Sequence, residues 1–130
     1  MKDTKKEISN FKYDFIVDLR IVVKYYYGEI TIADIISSWE FAFANNLIPD
    51  NNRGFILDYR KATFNISLFD YEQIPKFYKE NLHFFQDCKI AILTEKSKDI
   101  VIPVLVKEED EGYQSAPFTT MEAAIKWVLE

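Results

Sequence analysis

Gly54-Phe55-Ile56-Leu57-Asp58, followed by Tyr59-Arg60-Lys61-Ala62-Thr63-Phe64-Asn65-Ile66-Ser67, is the stretch on which the fold turns. A short unbroken apolar run, opened by glycine and closed by an acid, is the pattern of a strand covered on both faces, hence central in a mostly parallel sheet. In open α/β sheets ligands and partners gather at the carboxyl ends of such strands. That edge here displays Asp58, then a polar segment expected to be an irregular loop, then Ser67.

Upstream, Phe11, Tyr13, Phe15 and Val17 recur with a period of two, and Ile21 to Tyr27 is β-branched and aromatic, with Gly28 as its stop. The short connection between the two predicts an antiparallel hairpin. Thr31 with Asp34 three residues on forms a capping box, and Ile32, Ile35, Ile36, Trp39 and Phe43 follow helical spacing behind it. Asn45-Asn46 and Pro49 to Asn52 close that helix before the central strand.

Downstream, the run from Leu68 to Phe85 is expected to give a short turn up to about Gln73 and a helix beginning near Pro75, because proline lacks an amide and restricts the residue before it. Cys88 to Thr94 reads as another interior strand. Ile100 to Val106 has strong strand propensity, yet the next strand is so near that a crossover is needed; a helix is preferred there, with strand as the alternative. Tyr113 to Phe118 gives a last short strand, and Thr119 with Glu122 a capping box ahead of Met121, Ala124, Ile125 and Val128 at helical spacing. The order is ββαβαβαβα: a single α/β domain over residues 1 to 130, with a mixed sheet of an N-terminal antiparallel hairpin then parallel strands, covered by helices.

Composition narrows the function. The 130 residues are 48% hydrophobic and 28% charged, a globular balance able to bury a core, and 3 Gly and 4 Pro leave little room for long loops. Sixteen basic against 21 acidic residues give −5, which opposes nucleic acid and anionic lipid. The only basic cluster is Lys2, Lys5 and Lys6 at the amino end. One cysteine, Cys88, permits no internal disulfide and reads as a structural strand residue. Met1 to Asn10 is polar, unlike a signal peptide, and no apolar run approaches the ~20 residues of a membrane span, so the expected location is the cytoplasm.

The hairpin ending in Gly28-Glu29-Ile30-Thr31, the capped helix, Phe55-Ile56-Leu57-Asp58, Ile90-Ala91-Ile92 and the ending Phe118-Thr119-Thr120-Met121-Glu122-Ala123-Ala124-Ile125-Lys126-Trp127 resemble, in that order, the STAS superfamily and its SpoIIAA-like branch. The resemblance spans nearly the whole chain, although each motif is mostly apolar patterning. It implies a non-enzymatic module of the kind found in anti-sigma factor antagonists and in the cytoplasmic domains of sulphate transporters. In regulatory members an Asp-Ser pair at a helix start carries a phosphorylated serine that switches partner binding. Matching outward from Phe55-Ile56-Leu57-Asp58 places that serine at Ser67, where Ile66 departs from the family by replacing the acid. The resemblance also extends by fold to lipid-binding Sec14-type domains.

Weighed residue by residue, Ser67 with Asp70 three positions on reads first as a helix N-cap and second as a phosphoacceptor. Asp58 closes its strand as a receiver's aspartate would, but Gly28-Glu29 stands where a receiver needs an acidic pair for magnesium; accepting backbone amides in the loop, or pairing with Arg60 or Lys61, is the simpler role. A lone His83 assembles neither a zinc site nor a triad, and no phosphate loop is present, so neither a catalytic constellation nor a metal or cofactor is expected. Tyr25-Tyr26-Tyr27 cannot be one stacking platform, because a strand sends alternate rings to opposite faces. Phe64, Phe69 and Tyr71 are candidates to line a groove. The expectation is a binding or regulatory module that meets a protein partner through the segment from Asp58 to Ser67 and the following helix start, with homodimerisation open. The alternative is a carrier or sensor of a lipid-like or other apolar small molecule in a cleft between helices and sheet.

Overall fold

The computed structural model describes residues 10 to 130; Lys2, Lys5 and Lys6 lie outside the described residues. Five strands, β1 (Phe11–Ile16), β2 (Ile21–Ile30), β3 (Gly54–Phe64), β4 (Lys89–Leu93) and β5 (Gln114–Phe118), form one sheet in the order β1-β2-β3-β4-β5. β1 and β2 are the antiparallel hairpin, in register Phe11↔Tyr26 to Ile16↔Ile21. β2, β3, β4 and β5 run parallel, so the quoted stretch is the middle of the sheet. Phe55, Ile56 and Leu57 are buried because both faces are covered there.

The helices are α1 (Ile32–Ala44), α2 (Gln73–Glu80), the single turn α3 (Leu82–Phe85), α4 (Val101–Lys107) and α5 (Met121–Leu129). Thr31 caps α1 as the sequence predicts: its hydroxyl accepts from Asp34 N–H at 3.2 Å, and Asp34 accepts from Thr31 N–H at 2.9 Å. Residues 101 to 107 are helical rather than extended, with Pro103 in the first turn, where its missing amide costs no hydrogen bond. The consecutive strand order has a consequence for the layers. Parallel neighbours joined by crossovers of one hand place every crossover helix on the same side of the sheet. Val22, Tyr26, Phe55, Leu57, Ile90 and Ile92 accordingly pack under Ile35, Trp39, Tyr78, Phe85, Ile102 and Val106 of α1 to α4. The opposite side has only α5, whose Ala124 and Val128 meet Ile21, Val23, Ile56, Ala91 and Leu93.

Three expectations are corrected. β2 does not stop at Gly28, which takes φ +78° and kinks the strand without ending it. β3 does not stop at Asp58: Tyr59 to Phe64, expected as an irregular loop, continue as strand and pair Lys61↔Tyr27 through Phe64↔Ile30. A bulge between the Asp58↔Tyr25 and Lys61↔Tyr27 pairs hides this in the sequence by breaking the period of two. The terminal helix is capped by Thr120, which accepts from Ala123 N–H at 3.2 Å, and so begins one residue after the box at Thr119.

Candidate functional site

The far half of β3 extends beyond the end of β4, whose Leu93 pairs with Asp58. Its exposed backbone edge is satisfied from a distance: Lys96 Nζ donates to the Ala62 carbonyl at 3.2 Å, while Asp99 Oδ1 accepts from Phe64 N–H at 3.0 Å and the Thr63 hydroxyl at 2.7 Å. These bonds hold the strand straight until Asn65 and deliver the next residues to the rim of the sheet.

Asp58 is 5% exposed and pairs with Arg60, as the sequence suggests. Arg60 Nη2 donates to Oδ2 at 2.8 Å, Nε to Oδ1 at 3.1 Å, and Arg60 N–H to Oδ1 at 3.0 Å. These bonds to Asp58 raise the guanidinium pKa further. The carboxylate is therefore occupied, and its work is to fix the arginine.

Ser67 is exposed but is not a helix cap. Its Oγ accepts from Phe69 N–H at 3.0 Å and its carbonyl from Asp70 N–H at 2.9 Å, so it opens a turn. α2 starts only at Gln73, with Glu72 in the cap position and no side-chain cap bond. The reason is the same local chemistry that suggested a cap: a serine hydroxyl two residues before an amide supports a turn as readily. That turn pushes Leu68 and Phe69 outward, to 60% and 94% exposure.

Phe64, Phe69 and Tyr71 are not brought together into one groove. Phe64 tilts against Tyr59 at 4.3 Å between ring centroids and, like Tyr71, packs partly buried against the helical core, while Phe69 stands in solvent. The space between helices and sheet, bordered by Phe64, Ile74, Tyr78 and Ile102, is about 20 Å³, room for a single water. Among the described residues this space between helices and sheet does not open into an aromatic cavity of lipid size. Tyr25 and Tyr26 do point to opposite sides, Tyr26 into the helical core and Tyr25 toward the α5 side.

Two features escaped the sequence reading. Lys24 is fully buried under α1, bonded to the Tyr26 and Ser38 hydroxyls, and the one cation in the β-branched and aromatic run Ile21 to Tyr27 was its signal. The bulge turns Arg60 and Lys61 to the same side, onto a part of the sheet that no helix among the described residues covers. Cys88, half-buried just before β4, has its thiol pKa pushed up by burial and is a poor nucleophile. No helix among the described residues is long and apolar enough to cross a membrane.

A sequential five-stranded sheet, opened by a hairpin and ended by a helix on the reverse face, is a SpoIIAA-like fold. Among solved structures the chain is similar to the crystal structure of an uncharacterized protein from the DUF3478 family of Shewanella loihica PV-4, described as having a SpoIIAA-like fold. The two are 12% identical with a TM-score of 0.58, over 97% of this chain and 99% of that one. At this identity the likeness establishes the fold alone. No family model and no curated protein matches the sequence.

Proposed function

We propose that the protein is a non-enzymatic binding or regulatory module of the cytoplasm that receives a protein partner on the turn after its central strand. One observation carries this reading: Leu68 and Phe69 stand out beside an exposed Ser67, above a core with no room for a ligand. A phenylalanine held almost wholly in water by a tight turn gains nothing for folding, and such exposed apolar groups mark contact surfaces. Ser67 is the natural control point. Phosphorylation there adds up to two negative charges beside Phe69, and a partner that buries the ring must then desolvate them. The resemblance to STAS regulators supports this role even though Ile66 replaces the acid of the family's pair.

The test uses tagged protein in extracts of its own cells, comparing wild type with Leu68→Ser, Phe69→Ser and Ser67→Glu. A specific protein recovered by wild type is expected to be lost with all three, while far-UV dichroism and melting temperature stay unchanged. Identical recovery by Phe69→Ser and wild type would refute the surface. Intact-mass analysis of the endogenous protein reads Ser67 separately, since the regulatory part fails if no phosphoform is found under any growth condition.

A further inference from the structure

The topology leaves part of the sheet bare. A helix running along the strands is about 10 Å across, and five strands span roughly 19 Å between the outermost axes. α5 lies mainly against β3, β4 and β5 and meets β2 at Ile21 and Val23, so among the described residues no helix covers the same face of β2 from Tyr25 to Tyr27 or of β1 beside it. An open cleft of about 310 Å³ lies there, within the range of small-ligand sites. Tyr25 and Tyr27 form its floor, Lys12 and Asp14 its β1 wall, and Asp58, Arg60 and Lys61 its β3 wall.

We propose that this cleft binds a small organic phosphate, with the phosphoryl group among Lys12, Arg60 and Lys61 and the organic part against Tyr27. Three cations converge here in a chain whose net charge is −5. Only one of them is neutralised. Among the described residues Lys12 and Lys61 have no salt-bridge partner, whereas Asp58 takes the Nε–H and one Nη2–H of Arg60. Three of the five guanidinium N–H groups remain for a ligand, on a side chain already held in place. Three separate donors suit a tetrahedral group with three acceptor oxygens better than a planar carboxylate with two. Tyr27, 38% exposed, offers a ring face for the rest of the molecule, and Asp14 an acceptor for a hydroxyl on it.

The bulge makes this possible. In a regular strand Arg60 and Lys61 would point to opposite sides; the extra residue brings both over the bare face while Tyr59 and Ala62 stay in the helical core.

The proposal is tested by titrating ¹⁵N-labelled protein with phenyl phosphate, inorganic phosphate and benzoate. Phenyl phosphate should give saturable shifts confined to Lys12 to Asp14, Tyr25 to Tyr27 and Asp58 to Ala62, with benzoate at least ~10-fold weaker. Lys61→Gln and Lys12→Gln, which break no side-chain hydrogen bond or ion pair among the described residues, should each weaken phenyl phosphate about 10-fold, and Tyr27→Leu should weaken it relative to inorganic phosphate. Phe69→Ser should leave the titration unchanged, so this site and the turn are read independently. Absence of saturable shifts, equal binding of benzoate, or full affinity in Lys61→Gln would each overturn the proposal.

Discussion

Lys24 is the residue its strand accommodates least. Between Val23 and Tyr25 it points into the helical core, where none of its surface is exposed, and no carboxylate meets it. Its Nζ donates to Tyr26 Oη and to Ser38 Oγ, both at 2.9 Å, and sits 3.3 Å from the centre of a Trp39 ring. Two hydroxyl oxygens and a π face are acceptors for the three N–H groups of an ammonium, but burial still draws its pKa well below the ordinary lysine value. In the unfolded chain the amine holds its proton up to pH ~10.4. Between the lowered folded pKa and that value the unfolded state binds more protons, so stability rises with pH and is reduced as pH falls through this window. Half-buried Tyr13 and buried Tyr26, whose pKa values desolvation raises, oppose the trend only above pH ~10. Lys24→Met keeps the volume and leaves the hydroxyls satisfied, since Ser38 donates to the Ile35 carbonyl at 2.7 Å and lies 3.1 Å from Tyr26 Oη. It should stabilise the fold by roughly 1–3 kcal/mol at neutral pH and flatten the pH slope, as read by urea unfolding at pH 7 and 9. A less stable variant would mean that the ammonium cage is worth more than its desolvation costs.

At the scale of elements, β3 shows why one half of a strand is legible and the other is not. Phe55, Ile56 and Leu57 are covered on both faces, and an unbroken apolar run admits few other readings. Gly54 adds a constraint, because a Cβ there would lie 2.6 Å from the Lys89 carbonyl oxygen and 2.7 Å from Val128 Cγ1. The first contact is backbone and cannot rotate away, so Gly54→Ala should cost about 1–3 kcal/mol, measured as a lowered urea midpoint at unchanged slope. Wild-type stability would show that β4 and α5 yield easily. The second half of β3 was unreadable for two reasons. Its bulge disturbs the alternation, and one backbone edge is satisfied by Lys96 and Asp99, more than 30 residues away, which no local pattern reveals. Asp58 was legible because its partner Arg60 is two residues on. Ser67 was located as exposed but misread as a cap, and the outward Leu68 and Phe69 were hidden because their spacing also suits a helix. The bare cleft was invisible, since it depends on which face each strand turns outward.

The whole molecule is asymmetric about its sheet. On one face Trp39 alone meets Phe55, Tyr78 and Phe85 at ring separations of 5.2, 6.2 and 5.0 Å, knitting α1, α2 and α3 to the strands. On the other face α5 buries only Ala124 and Val128 completely enough to join the core, assisted by partly buried Met121, Ile125 and Trp127. Its last turn is pinned by side chains from strand ends: Lys89 Nζ donates to the Trp127 carbonyl at 3.0 Å and Arg53 Nη2 to the Leu129 carbonyl at 3.1 Å. A helix held by so few apolar contacts and by a few side-chain bonds at its carboxyl end has less to lose on detaching than the opposite layer does. Its amides should therefore exchange with solvent through a local opening that leaves β3 and α1 protected. Val128→Ala removes two methyl groups from that interface and should lower the opening free energy of α5 by roughly 1 kcal/mol or more. Native-state hydrogen exchange in low urea checks this. Amides of α5 should exchange faster in the variant by about the factor that energy implies, while those of Phe55 to Leu57 should follow only the change in global stability. If α5 and β3 exchange through one and the same opening, the two faces form a single cooperative unit despite their unequal packing.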